Sequence, residues 1–227
     1  MNPKQLAGEL AADYAKDGMV VGLGTGSTVF FTIHKLGELV KGGMKITGIP
    51  TSLQTETLAR ELSIPLSTLD EHPVINVTID GADEVDPKMN LIKGLGGALF
   101  REKVVAGASK LEVIVVDGSK VVDVLGTKSP LPVEIVQFGY KRTLSALSSL
   151  GCHPALREKD GRPFVSDNGN YIADCRFDRI DDPAEMEKRI NLTLGVVENG
   201  LFVDLTDIVI VGGQDSVEVR GLAQKPL

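Results

Sequence analysis

Cysteine and histidine are scarce in this 227-residue chain: two cysteines, Cys152 and Cys175, and three histidines, His34, His72 and His153. Two cysteines cannot make a disulfide framework, and they lack the spacing of a metal site. Both are expected to be reduced thiols in a cytoplasmic protein. The histidines stand in no pattern with one another, so no ligand or catalytic role is assigned to them. No apolar run is long enough to span a bilayer, and no signal-peptide pattern opens the chain. Positive charge is in deficit, with 24 Lys and Arg against 31 Asp and Glu, a net charge of −7. That balance disfavours nucleic acid or an anionic membrane as a general partner, yet leaves room for a local basic site for a small anion. Repeats and low-complexity segments are absent too. What remains is a globular composition, 42% hydrophobic, long enough to bury about 70% of its unfolded surface.

Asn2-Pro3 reads as a helix start, with Leu6, Leu10 and Tyr14 as an apolar stripe and Gly18 as the stop. The short strand Met19-Val20-Val21 runs into Gly22-Leu23-Gly24-Thr25-Gly26-Ser27-Thr28, and a helix follows to about Leu39. Glycines let a backbone approach a ligand, and a helix start offers unpaired N–H groups and a positive dipole end, which suit a phosphate. Thr25, Ser27 and Thr28 add hydroxyls. No Gly-Lys-Ser/Thr follows, so this is not a nucleotide P-loop. Ser27 falls where a dinucleotide fingerprint needs its third glycine. A bare strand-to-helix turn explains the glycines equally well. Further strands are expected at 46–49, 65–69, 74–79 and 111–116, with helices at 53–62 and 98–109. The last of these strands ends at Asp117-Gly118-Ser119-Lys120, which puts Lys120 just past a strand end. Alternating strands and helices argue for a mostly parallel sheet.

The densest chemistry lies between Ile79 and Lys103. Asp80-Gly81-Ala82-Asp83 turns away from a strand end, where open α/β sheets bind their ligands. Met89 to Ile92 leads to Lys93 and the glycines Gly94, Gly96 and Gly97. A helix follows with Ala98, Glu102 and Val105 on one face. Taken singly, the aspartates are ordinary turn residues and Lys93 and Glu102 ordinary surface charges. Together they bring ionisable groups and free backbone N–H groups into one short segment. The run Asp80, Asp83, Glu84, Asp86 lacks calcium-loop spacing, and no metal is assigned.

From Pro130 the order changes to β-α-β-β-α-β, the order of a ferredoxin-like unit. Its strands are expected at 131–137, 171–177 and 196–203, with Pro154 to Arg157 and Pro163 to Ser166 flanking the turn Lys159-Asp160-Gly161. Its helices are expected at 140–150 and, from the capping box Asp182-Pro183-Ala184-Glu185, to about 194. Asp207 to Val211 is again an apolar strand. The expected fold is therefore α/β. A mostly parallel, doubly wound, Rossmann-like domain (1–129 and 205–227) carries an inserted α+β ferredoxin-like small domain (130–204).

These motifs resemble those of ribose-5-phosphate isomerase of the A type. The matching pieces are Gly24-Thr25-Gly26-Ser27-Thr28, Asp80-Gly81-Ala82-Asp83-Glu84, Lys93-Gly94-Leu95-Gly96-Gly97-Ala98-Leu99, Arg101-Glu102-Lys103 and Ser119-Lys120. Pro130 to Glu134, Asp167 to Asn170 and Gly195 to Phe202 match as well, so the resemblance runs along nearly the whole chain. Leu95 departs from the glycine of many members. The resemblance implies interconversion of ribose 5-phosphate and ribulose 5-phosphate in the pentose phosphate pathway, with neither metal nor nucleotide cofactor. It implies Glu102 as the base, with Asp80, Asp83 and Lys93 at the reacting end. Thr25, Gly26, Ser27, Thr28, Gly81, Ala82, Gly94, Leu95, Gly96 and Lys120 would contact the sugar phosphate. It also implies a homo-oligomer, a dimer or a dimer of dimers. Two rival readings are a noncatalytic sugar-phosphate sensor, which would need an output module that is not visible, and an amino-sugar phosphate deaminase, which the ferredoxin-like insertion argues against.

Overall fold

The computed structural model describes residues 2–214 and 216–221. Helix α1 (Pro3–Ala11) precedes strand β1 (Val20–Leu23), helix α2 (Val29–Lys41), strand β2 (Thr47–Pro50) and helix α3 (Leu53–Glu61). Strands β3 (Val77–Gly81), β4 (Glu84–Val85) and β5 (Leu91–Ile92) lead to helix α4 (Leu99–Gly107) and strand β6 (Glu112–Asp117). Strand β7 (Leu131–Ile135), helix α5 (Tyr140–Ser148) and strand β8 (His153–Leu156) follow, then a hairpin of β9 (Glu158–Lys159) and β10 (Arg162–Pro163). Strand β11 (Tyr171–Arg176), helix α6 (Pro183–Asn191) and strands β12 (Val196–Asn199), β13 (Leu201–Phe202), β14 (Ile208–Gly212) and β15 (Val217–Gly221) come last.

The chain forms two compact units. One takes the residues up to Ala82, Arg101–Lys120, and the chain from Leu205; the other takes Asp83–Phe100 and Val121–Asp204. Segments 83–100 and 121–129 thus pack with the second unit, whereas the sequence division above puts them in the first.

The first unit is built on one six-stranded sheet, in the order β15-β14-β6-β3-β1-β2. Every pair is parallel except β14 with the edge strand β15. Both faces are covered, as a parallel sheet requires. Val21 and Leu23 of β1 point into a cluster with Ala7 and Ala11 of α1 and Ile33 and Leu36 of α2. Val20 packs instead with Ile49, Ile75 and Val105. Gly22 permits the close approach of α4 on that side: a Cβ there would lie 1.8 Å from Thr78 Oγ1 and 2.9 Å from Val105 Cγ1.

The second unit holds a four-stranded antiparallel sheet ordered β12-β7-β11-β8. With α5 and α6 this is the ferredoxin-like arrangement, first strand in the middle and second at an edge. Asp182 caps α6 by accepting from the Glu185 N–H. A separate three-stranded sheet, β13-β5-β4, belongs to the same unit.

Several local expectations need correction. Helix α1 buries Ala7, Gly8 and Ala11, while Leu10 is exposed. Small residues win because α2 packs so near: a Cβ on Gly8 would lie 2.7 Å from the Thr28 carbonyl. The expected strand at 65–69 is only an isolated bridge, Gly48 to Leu66. The expected strand at 196–203 breaks at Gly200, where a Cβ would lie 2.2 Å from the Lys93 carbonyl. Beyond the break, β13 joins β5 rather than β7. The edge strand β15 has only a weak signal in the sequence, because its Val217-Glu218-Val219-Arg220 pattern is short and charged and only partly buried.

Candidate active site

In the first unit the glycine loop after β1 is tied to the aspartate that ends β3. Asp80 is fully buried, and its Oδ1 accepts from the N–H groups of Thr25 (2.9 Å) and Gly81 (2.7 Å). Gly24 is a glycine for this reason, since a Cβ there would sit 2.2 Å from Asp80 Oδ1. A surface-turn role for Asp80 is ruled out by that burial. Gly26 has room around it but needs φ of +131°, a region glycine enters without steric cost.

The Thr25 hydroxyl faces inward. It lies 2.8 Å from the hydroxyls of Thr51 and Ser52 and 3.1 Å from that of Thr55. Thr55 Oγ1 in turn donates to the Gly24 carbonyl, and Ser52 caps α3. Thr25 therefore anchors the loop. Past it, no described residue accepts a hydrogen bond from the N–H of Ser27 or Thr28. Those two N–H groups stand at the positive dipole end of the 13-residue α2, an arrangement that suits an anion.

A pair of cations completes this corner. Lys4 Nζ donates to Ser27 Oγ at 2.9 Å and lies 3.9 Å from Asp117 Oδ2. Asp117 ends β6, one 3₁₀ turn before Lys120. Burial works against its charge. The Ser119 hydroxyl and N–H and the positive Lys4 and Lys120 outweigh that and hold the carboxyl below its usual range. No motif in the sequence marks Lys4. Only folding brings it beside Ser27, 23 residues on.

Glu102 stands in the first turn of α4 and is 5% exposed. Ala98 and Val105, grouped with it by periodicity, are buried as well. In a doubly wound sheet, the first turn of a crossover helix lies at the carboxyl ends of the strands. Gly81 and Ala82, half-buried, continue from Asp80 at that end of β3.

The second unit holds Asp83, Lys93 and the glycine turn. Asp83 N–H donates to the Ile92 carbonyl, and Asp83 Oδ2 accepts from the Leu95 N–H at 2.9 Å. Lys93 is 2% exposed, with Nζ 5.4 Å from the centre of the Phe202 ring. The aromatic face attracts the ammonium, and burial to this depth rules out an ordinary surface lysine. Gly94 to Gly97 form a tight turn closed by Gly97 N–H on the Gly94 carbonyl, 2.9 Å. Gly94 and Gly97 have φ of +103° and +83°. Leu95 is not among the residues with positive φ, so its backbone asks for no glycine.

The other acidic residues of the run are engaged elsewhere. Glu84 accepts from the N–H groups of Gly126, Lys128 and Ser129. Asp86 holds its own turn through Lys88 and Asn90. Among the described residues no group of three or more His, Cys, Asp or Glu could hold a metal ion. Glu134, fully buried, gathers Ser166, Asn168 and Asn170 onto one oxygen, so the Asp167–Asn170 motif shapes a turn of the small unit. Both cysteines are free and buried. No helix among the described residues is long and apolar enough to cross a membrane.

The chain is similar to known proteins over most of its length. The family model of ribose 5-phosphate isomerase A (phosphoriboisomerase A) matches residues 47–216. The chain is 51% identical to a ribose-5-phosphate isomerase A of Bacillus mycoides over 219 residues, covering 96% of this chain and 99% of that one. It is 50% identical to the corresponding protein of Thermosynechococcus vestitus over 214 residues, covering 92% and 90%. Among solved structures, the ribose 5-phosphate isomerase of Plasmodium falciparum superposes with a TM-score of 0.95 at 41% identity, over 98% of this chain and 99% of that one. A D-ribose-5-phosphate isomerase in complex with phospho-erythronic acid gives 0.95 at 43%, over 98% and 100%.

Proposed function

This chain belongs to the ribose 5-phosphate isomerase A family and is an aldose–ketose isomerase interconverting ribose 5-phosphate and ribulose 5-phosphate; from that premise we propose how its residues divide the work. The observation that carries the proposal is the pairing of deep burial with ionisable chemistry at Asp80, Lys93 and Glu102. Ionisable groups held this deep are uncommon in a fold and cluster at functional sites, which supports a catalytic role for each.

Glu102 takes the proton from the carbon beside the carbonyl and returns it to the neighbouring carbon. The intermediate is an enediolate. Lys93 and the N–H groups of the Gly94–Gly97 turn stabilise its oxygen charge, a contribution that is often the largest in such catalysis. Asp80 relays protons during ring opening and between the two sugar oxygens. Asp83 holds the turn through the Leu95 N–H. The phosphate does not react. Its binding to the Ser27 and Thr28 N–H groups, Lys120 and Lys4 positions the rest of the sugar. Phospho-erythronic acid, held by a related isomerase, has a carboxylate at one end and a phosphate at the other, which supports the same division. The test is incubation of purified protein with ribose 5-phosphate, with and without chelator. Ketose should form in both, and activity restored only by a divalent ion would overturn the metal-free scheme.

Lys120→Ala should raise KM for ribose 5-phosphate about tenfold or more, since a charge-assisted hydrogen bond contributes roughly 1.5–3 kcal/mol. Inorganic phosphate should then compete less well. Unchanged KM and unchanged phosphate inhibition would remove Lys120 from the site.

We further propose a cytoplasmic homodimer or dimer of dimers. Exposed apolar residues of the second unit support self-association. Phe138 is 95% exposed, and Leu192 and Leu194 more than 80%. Val136 N–H bonds the Gly195 carbonyl and draws these two segments alongside. Symmetric oligomers commonly cover such patches. Light scattering at micromolar concentration should return at least twice the 24.2 kDa chain mass; a monomer would refute the assembly.

A further inference from the structure

Arg157 follows β8 and has no place in the motifs that mark the site, yet it grips the glycine turn. Its Nη1 donates to the carbonyls of both Gly94 and Leu95, each at 3.0 Å. Its Nε donates to Asp174 Oδ2 at 2.9 Å, and Nη2 pairs with the other Asp174 oxygen. The guanidinium also lies over the Phe164 ring, 5.8 Å from its centre. That ring fills the space beside Gly97, where a Cβ would come within 2.5 Å of it. The Arg157 side chain is 12% exposed.

The two amides it holds differ in what their other ends do. In a trans peptide the C=O and N–H point in opposite directions. The Gly94–Leu95 amide is satisfied at both ends: its oxygen takes Arg157 and the Gly97 N–H, and its N–H goes to Asp83. The Leu95–Gly96 amide is held only at its oxygen. Its N–H belongs to Gly96, which is exposed, and no described residue accepts from it. A cation on the carbonyl fixes that N–H pointing away from the guanidinium. It also polarises the amide and makes the N–H a stronger donor.

We propose that Arg157 is a positioning residue for catalysis, setting the direction and strength of the Gly96 N–H that receives the negative charge developing on the substrate oxygen. Asp174 and Phe164 keep the guanidinium plane in place for that purpose. The proposal rests on the reading that the Lys93–Gly97 turn serves the reacting end of the sugar. Lysine cannot substitute, because one ammonium cannot span two carbonyls and a carboxylate in a planar fork.

Three variants test it: Arg157→Lys, which keeps the charge against Asp174; Asp174→Asn, which keeps the shape but loosens the fork; and Lys93→Met. Losing one oxyanion donor costs about 10²–10³ in kcat, and misdirecting one should cost less. Arg157→Lys is therefore expected to lower kcat about 10- to 100-fold with KM for ribose 5-phosphate within about threefold. Inhibition by phospho-erythronic acid, whose carboxylate mimics the enediolate, should weaken about tenfold or more, while inhibition by inorganic phosphate stays as in wild type. Asp174→Asn should shift the ratio of the two inhibition constants the same way by less. A merely structural role would lower the active fraction and leave that ratio unmoved. The proposal is overturned if kcat stays within twofold in both Arg157→Lys and Asp174→Asn, or if the ratio is unchanged in whichever of them folds. Lys93→Met separates the premise: normal kcat there overturns the reading of the turn itself. A crippled Lys93→Met beside a normal Arg157→Lys overturns only the role of Arg157.

Discussion

Glu102→Gln should reduce kcat at least 100-fold and by as much as 10,000-fold, because a positioned base contributes about 10²–10⁴. Glutamine keeps the size of the side chain and much of its hydrogen bonding at this 5%-exposed position, so the helix and its packing should survive. It cannot accept a proton. Binding of ribose 5-phosphate or phospho-erythronic acid should therefore stay within a few-fold, and the loss should fall on kcat. Isotope exchange gives an independent reading. Wild-type enzyme in D₂O should place deuterium on the carbon that exchanges its proton, and Glu102→Gln should not catalyse that exchange. Near-normal turnover and exchange in the variant would reduce Glu102 to a packed helix residue. Asp80, buried at the end of β3, would then be the leading base.

The second large effect is on stability rather than turnover. Glu84 is fully buried on β4, and its two oxygens accept from three backbone N–H groups of the 126–129 segment. Glu84→Ala strands those donors. Gly126 is buried, so its N–H should bear the desolvation penalty of an unmade bond, about 1–3 kcal/mol. Lys128 is exposed and Ser129 half-buried, so their N–H groups can turn to water and lose less. A total of about 3 kcal/mol is expected. In a chain this long that amounts to a fall in Tm of roughly 6–12 °C. Glu84→Gln retains one acceptor oxygen and should lose less. Denaturant titration of the three proteins measures this directly. A Glu84→Ala protein as stable as wild type would mean that water replaces the carboxylate at no cost, and that the burial of Glu84 contributes nothing to holding the segment.

Glu84 also shows where a linear reading stops. Beside Asp80, Asp83 and Asp86 it looks like one member of an acidic cluster. Its partners lie 42 to 45 residues away, so its role as an anchor for a distant loop has no local signal. Arg157 is the same case, 62 and 63 residues from the carbonyls it binds. Lys4 is intermediate. Its position at a helix start was visible, while its approach to Ser27 depended on the packing of α1 against α2 and β6.

Local chemistry was legible because it is written in short windows. Strand, glycine turn and helix start recur within a few residues, and their geometry follows from φ requirements, capping and the period of apolar residues. Hence Asp80 at a strand end, Lys93 before a glycine turn, and Glu102 on the buried face of α4 could all be placed from the chain. The alternation of elements likewise identified a mostly parallel sheet and a ferredoxin-like unit. Packing distance is not written locally. The choice of Ala7 and Ala11 over Leu10 as the buried face of α1, the break at Gly200, and the inward turn of the Thr25 hydroxyl each depend on how near a second element comes. That nearness is set by the sum of many weak contacts along distant stretches of chain. It therefore exists only once the units have folded.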